Sequence, residues 1–249
     1  MAIRTPDFDS WRRIPLRLDQ TFSYLRQGFL WRTLSRLLAG LALLILWPVH
    51  HIWFGMHFNG RENLRAAGKG GAVVICNHVH WLDCTAVARM IYPHRAYYVT
   101  LQSNLELPVI RRLVRLFGGI PIPRQPRLLP GFKESIHKAL RNGDYIVIYP
   151  EGELNPYCQK LRPFQNSAFS FASDTAVPIL PLCITYRAPK GLFRVKKRPC
   201  MDIRALEPIW PDANLPRRER ISRMKETALC EMEAAASIHI SALSREELA

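Results

Sequence analysis

The sequence predicts an α/β fold, with helices layered on a mixed, largely parallel sheet. Short apolar runs bounded by glycine or turn residues alternate with stretches of helical periodicity, the pattern of strand–helix–strand units. A chain of 249 residues is also long enough to bury a sizeable core. The clearest run, Ala72 to Cys76, lies between Gly70-Gly71 and Asn77 and gives way to a polar turn entering a helix.

The first 57 residues read as N-terminal membrane-associating helices and residues 58–249 as the folded domain. Up to residue 36, Arg12, Arg13, Arg17, Arg26, Arg32 and Arg36 interleave with Trp11, Phe22, Tyr24, Phe29, Leu30 and Trp31. That mixture suits a helix lying among lipid headgroups; an amphipathic helix packed on the domain accounts for it as well. Leu37 to Val49 then carries no charge over thirteen residues. At about 1.5 Å per residue it makes roughly 20 Å of helix, short of a hydrocarbon core of roughly 30 Å. The expectation is a monotopic segment dipping into one leaflet, with Trp47, Trp53 and Phe54 at the interface. A single span using the residues to Phe58 is the alternative. Positive charge on both sides of the segment points to the cytoplasmic face of the cell membrane. The long basic stretch before Leu37 does not suit an ordinary cleavable signal peptide.

After Ala72–Cys76 and a helix from Trp81 to Tyr92, strands are expected near Ala96–Leu101, Asp144–Tyr149, Ile179–Tyr186 and Met201–Leu206. Helices are expected near Pro108–Leu116, Phe132–Asn142, Phe164–Ser173 and Arg217–Ile238. The balance of 35 Lys+Arg against 20 Asp+Glu, formally +15, suits anionic membranes, nucleic acid, phosphorylated substrates or an acidic carrier protein. The basic residues form no recognisable nucleic-acid reading motif, so nucleic acid is not an expected partner. Six cysteines without CxxC or regular spacing suggest reduced thiols.

The site-bearing stretch is Asn77-His78-Val79-His80-Trp81-Leu82-Asp83, at the carboxyl end of a buried strand, where ligands collect in open α/β sheets. A carboxylate five positions after a histidine can accept from one ring nitrogen and leave the other free as a base. Asp83 is equally well placed as a first-turn helix acid, and His78, His80 and Asp83 are all metal-ligand types. Against a metal, alternate residues of an extended turn point to opposite sides, and no further ligand follows at suitable spacing.

Three later stretches bear on the choice. Leu116 to Arg124 ends a helix on glycines and delivers Arg124, whose planar fork suits phosphate. Ile146 to Glu153 is a buried strand breaking at Pro150, with Glu151 at its end and Gly152 able to approach a ligand and offer its amide to an oxyanion. Ala176 to Leu182 is an apolar strand entry stiffened by Pro178 and Pro181, suited to a greasy wall.

In this order the stretches resemble the glycerolipid acyltransferase family, most closely its bacterial 1-acylglycerol-3-phosphate acyltransferases. The family's Asn-His-x4-Asp is matched by Asn77, His78 and Asp83, and its Gly-x-Ile-x-Ile-x-Arg by Gly118, Ile120, Ile122 and Arg124. Its aromatic-Pro-Glu-Gly is matched by Tyr149 to Gly152, and its Val-Pro-Ile-x-Pro by Val177, Pro178, Ile179 and Pro181. The likeness covers about Asn59 to Tyr186. It implies an O-acyltransferase without a cofactor or metal, taking acyl groups from acyl-CoA or acyl carrier protein to a lysophospholipid, foremost 1-acylglycerol 3-phosphate. His78 and Asp83 would be catalytic, and Asn77, Arg124, Glu151, Gly152 and Pro178 would line the substrate. The family's Thr-Arg-Ser after Glu-Gly is replaced by Glu153-Leu154-Asn155, which leaves Lys160 or Arg162 to supply the missing cation and leaves another lysolipid or glycolipid acceptor open.

Overall fold

The computed structural model describes residues 14–26, 28–106, 108–158, 160–196 and 199–240; Trp11, Arg12 and Arg13 lie outside them. Its strands are β1 (His57–Asn59), β2 (Ala72–Cys76), β3 (Ala96–Leu101), β4 (Gly119–Ile122), β5 (Tyr145–Ile148), β6 (Ile179–Arg187) and β7 (Cys200–Ala205). The helices are α1 (Phe29–Ile45), α2 (Arg61–Ala66), α3 (Asp83–Ile91), α4 (Pro108–Leu116), α5 (Leu129–Arg141), α6 (Ser167–Thr175) and α7 (Arg217–Ile240).

The strands form one sheet in the order β1-β7-β6-β2-β5-β3-β4. The five from β6 to β4 pair in parallel, β7 runs antiparallel to β6, and β1 is parallel to β7. The sheet is therefore mixed and mostly parallel, as the alternation of elements implied. Five strands deliver their carboxyl ends to one edge. Every residue of β2 is buried because both faces are covered, which is why it reads as a continuous apolar run. Val73, Ile75, Ile146 and Ile148 meet residues of α5, α6 and α7 on one face; Ala72, Val74, Cys76 and Val147 meet α3 on the other.

The N-terminal stretch departs from expectation. Residues 14–26 form neither helix nor strand, and Tyr24 and Leu25 belong to the same core as Val73 and Ile146. The burial of Leu16, Leu18, Phe22 and Tyr24 has a two-residue spacing on either side of a turn in which Asp19 accepts from the Thr21 backbone and hydroxyl. That period and that turn favour extended chain over helix. Arg111 Nη2 donates to Ile14 O at 2.6 Å, and Arg115 Nη2 to Ser23 O at 2.7 Å. The strap at 14–26 thus packs into the same core as residues beyond 57.

α1 starts at Phe29, well before the uncharged run. It lies antiparallel to α3, with Arg89 Nη1 on Leu43 O. Its seventeen residues span about 25 Å. Among the described residues no helix is long and apolar enough to cross a membrane. Its outward face exposes Leu30, Leu34, Leu37, Leu41, Leu44 and Ile45. After Pro48 a π-helical turn, Val49–Trp53, brings Ile52 and Trp53 to the surface.

Arg32 holds α1 to the start of β5 through two bonds to the fully buried Asp144, Nη2 to Oδ1 at 2.7 Å and Nη1 to Oδ2 at 3.1 Å. Arg32→Ala leaves that carboxylate buried without its fork. It is expected to destabilise the fold by about 3 kcal/mol, read as a lowered urea midpoint at unchanged slope.

Candidate active site

The chain leaves β2 at Cys76, makes a polar turn and enters α3 at Asp83. Asn77 is buried, and its side-chain amide pairs with the β6 backbone: Nδ2 donates to Ile184 O and Oδ1 accepts Ile184 N–H, both at 2.8 Å. It clamps the turn to β6 and is 1% exposed. The next two carbonyls are pinned as well. Asn155 N–H donates to His78 O at 2.9 Å and Tyr157 N–H to Val79 O at 3.0 Å.

Held in this way, the turn folds back so that Asp83 Oδ2 accepts from Val79 N–H at 2.7 Å, from His80 N–H at 2.8 Å and from His78 Nδ1 at 3.2 Å. A carboxylate only accepts, so Nδ1 carries the proton and Nε2 is the unprotonated nitrogen. The His78 side chain keeps about a quarter of its surface exposed, while that of Asp83 has none. Below the imidazole, Tyr149 stacks with ring centroids 4.2 Å apart and planes at 24°. Burial, with the Cys84 and Asp83 charges behind it, holds the Tyr149 phenol well above its usual range. This ring is a neutral platform, and the sequence offered only its place in the aromatic-Pro-Glu-Gly block.

His80 does not join the pair. Its Nδ1 accepts from Leu82 N–H at 3.1 Å and its ring packs against Phe54, Trp81 and Tyr157. Among the described residues no three His, Cys, Asp or Glu side chains are grouped to hold a metal ion. Nor do the thiols resemble nucleophiles. Cys76 is buried; Cys84 is exposed at the start of α3, where desolvation by neighbouring atoms, followed by the Asp83 charge, pushes its thiol up to about 11.

The end of β5 brings Glu151 beside the turn. Burial raises its carboxyl, opposed by the Arg162 side chain and by backbone N–H groups of His78 and Arg162. Arg162 sits at the site as a cation and spends three of its five N–H donors on acidic neighbours: Nε on Glu151 Oε2 at 3.3 Å, Nη1 on Glu153 Oε2 at 3.2 Å and Nη2 on Glu153 O. Lys160 is exposed. Gly152 has φ +81°, and a Cβ there would meet Gln165 Nε2 at 2.5 Å. Its amide donates to Tyr149 O at 3.1 Å, so it closes its own turn rather than facing an oxyanion.

Arg124 follows β4 on the same edge as His78, three strands from β2, or roughly 14 Å at about 4.8 Å per strand. Its guanidinium is largely exposed and pairs with Glu106 at 3.2 Å. Pro178 is elsewhere. It precedes β6 and accepts Val73 N–H at 3.0 Å, at the amino end of the sheet. Five residues of strand rise, roughly 16 Å, separate that level from His78. Pro178 is therefore a buried strand entry and not a substrate wall.

These blocks coincide with an independent likeness. The acyltransferase family profile matches residues 55–185, more than half of the chain. The chain belongs to the acyltransferase family. It is 29% identical over 122 residues to a lyso-ornithine lipid O-acyltransferase of Rhodobacter capsulatus, covering 47% of this chain and 43% of that protein. It is 27% identical over 160 residues to the 1-acyl-sn-glycerol-3-phosphate acyltransferase of Escherichia coli, covering 60% of this chain and 64% of that one. The crystal structure of the 1-acyl-sn-glycerophosphate (LPA) acyltransferase PlsC from Thermotoga maritima has the same fold. It superposes with a TM-score of 0.58 at 16% identity, over 86% of this chain and 81% of that one. The chain spans less than two thirds of the length of either sequence relative.

Proposed function

We propose that this acyltransferase moves a fatty acyl group from a thioester, acyl-CoA or acyl carrier protein, to the free hydroxyl of a lysophospholipid. The acceptor of first choice is 1-acylglycerol 3-phosphate, giving phosphatidic acid. The observation that carries this reading is the His78–Asp83 pair at 3.2 Å on the carboxyl edge of the sheet, within the residues that match the family. His78 Nε2 takes the hydroxyl proton as the oxygen attacks the thioester carbonyl. When the tetrahedral oxyanion collapses, the same nitrogen returns the proton to the departing thiolate. Asp83 keeps the ring oriented and offsets the charge it gains. The test is thiol release by purified protein given a thioester donor and a panel of lysolipids; no release above background hydrolysis with every acceptor would end the proposal.

Arg124 binds the acceptor phosphate in competition with Glu106. Arg124→Ala is expected to raise the acceptor KM by roughly tenfold or more, the worth of one charge-assisted hydrogen bond, and to leave the donor KM near that of the parent. Equal losses for both substrates would remove Arg124 from this role.

A second reading keeps the chemistry and changes the head group. Arg162, which pairs with Glu151 at the end of β5, is already shared by Glu151 and Glu153, and a relative named a lyso-ornithine lipid O-acyltransferase is among the most similar. Faster acylation of a lysolipid lacking a phosphate monoester, in the same panel, would select it.

The protein works as a monotopic enzyme on the cytoplasmic face of the cell membrane, with the exposed leucines of α1 in one leaflet and its excess positive charge on anionic headgroups.

A further inference from the structure

We infer that the loop joining β6 to β7 is a second lipid-binding element, which meets the headgroup region of an anionic bilayer beside the end of α1. The inference rests on the monotopic reading above and adds a contact that the N-terminal segment does not supply. Leu192 is 97% and Val195 90% exposed, the two most exposed large apolar residues described. They stand in Lys190-Gly-Leu-Phe-Arg-Val-Lys-Lys-Arg198, where five of nine residues are cationic. Lys190 and Arg194 are themselves exposed. Aliphatic tips flanked by cations fit an interface that is apolar a few ångströms down and negative at its surface.

The loop's position gives the second, independent observation. Lys196 Nζ donates to Trp53 O at 2.5 Å, Arg187 Nη2 to Gly55 O at 2.5 Å and Met201 N–H to Phe54 O at 3.1 Å. Both strands flanking the loop are thereby tied to residues 53–55, next to the exposed Ile52 and Trp53. β6 is parallel to β2, so the loop leaves from the edge that carries His78. Two apolar elements joined at this edge fix the orientation of the site towards the surface from which a lipid enters. One helix alone would leave rotation about its own axis open.

The test is flotation of the full chain with vesicles of phosphatidylcholine alone and with a quarter of phosphatidylglycerol. Leu192→Asp with Val195→Asp is expected to lower partitioning onto the anionic vesicles at least tenfold. Lys190→Glu with Arg194→Glu is expected to do the same at low salt, with the difference shrinking as salt rises. Both variants should melt as the parent does and release thiol from micelle-dispersed substrates at the parent rate, because these side chains touch neither His78 nor the core. If the parent floats with neither vesicle, the monotopic reading fails and takes this inference with it. If the parent floats and both loop variants float equally well, while Leu37→Asp with Leu41→Asp sinks, α1 alone holds the membrane and the inference is overturned. Unchanged flotation with a raised KM for acyl carrier protein would also overturn it, making the loop a dock for an acidic donor protein.

Discussion

His78→Ala is expected to lower kcat/KM by about 10²–10⁴-fold, the range in which a positioned general base contributes. The protein should remain folded. The ring is partly exposed, hydrogen-bonds to Asp83 and lies on Tyr149, so its removal opens space at a surface already wet. Asp83 keeps the N–H groups of Val79 and His80, and the turn keeps the pins from Asn155 and Tyr157. Thiol release at saturating donor and acceptor, beside a melting curve, separates the two effects. A loss confined to kcat/KM at unchanged melting assigns His78 to the reaction, whereas full activity in the purified variant would dismiss the scheme. Alkylating the parent gives a control. Cys76 is inaccessible and the Cys84 thiol is protonated near neutrality, so activity should resist the reagent unless bulk at Cys84 blocks the cleft.

What the sequence conveyed divides along sequence separation. His78 and Asp83 lie five residues apart at a strand end, close enough for backbone geometry to bring them together, and spacing alone anticipated their contact. The parallel sheet was likewise legible, because alternation of short apolar runs with helical stretches is a local signal. The clamp made by Asn77 was not legible because its partner, Ile184, lies 107 residues on, and a polar residue beside a candidate base reads the same whether it clamps backbone or touches ligand. Pro178 was misplaced because the block shared with the family reads alike at either end of a strand; only the register, with Val73 opposite Ile179, decides the end. The strap at 14–26 was hidden by its arginines, which drew attention from the alternating burial of Leu16, Leu18, Phe22 and Tyr24. β4 is only four residues long, and Pro121 disguises a strand that its edge position tolerates.

Asp83→Asn is expected to lower kcat by about 10²–10³-fold, less than the roughly 10⁴-fold that the same exchange brings about in a serine-protease triad. There the asparagine presents its amide to the histidine and enforces the wrong tautomer. Here one oxygen, Oδ2, serves His78 Nδ1 and two backbone N–H groups together. Turning the NH₂ towards them would leave two buried donors without an acceptor, at about 1–3 kcal/mol each. The carbonyl therefore stays where Oδ2 was, Nδ1 keeps its acceptor, and Nε2 remains the basic nitrogen. What disappears is the negative charge that steadies the imidazolium as the hydroxyl proton moves, an effect felt in kcat while the acceptor KM stays near the parent value. Asp83 could instead be only the acid at the start of α3, favoured by the helix dipole. Its neutralisation would then cost about 0.3–1 kcal/mol of stability and leave kcat untouched. A melting shift of that size with kcat within a few-fold of the parent would establish the helix acid. A hundredfold loss of kcat in a protein that melts almost normally would place the carboxylate behind the base.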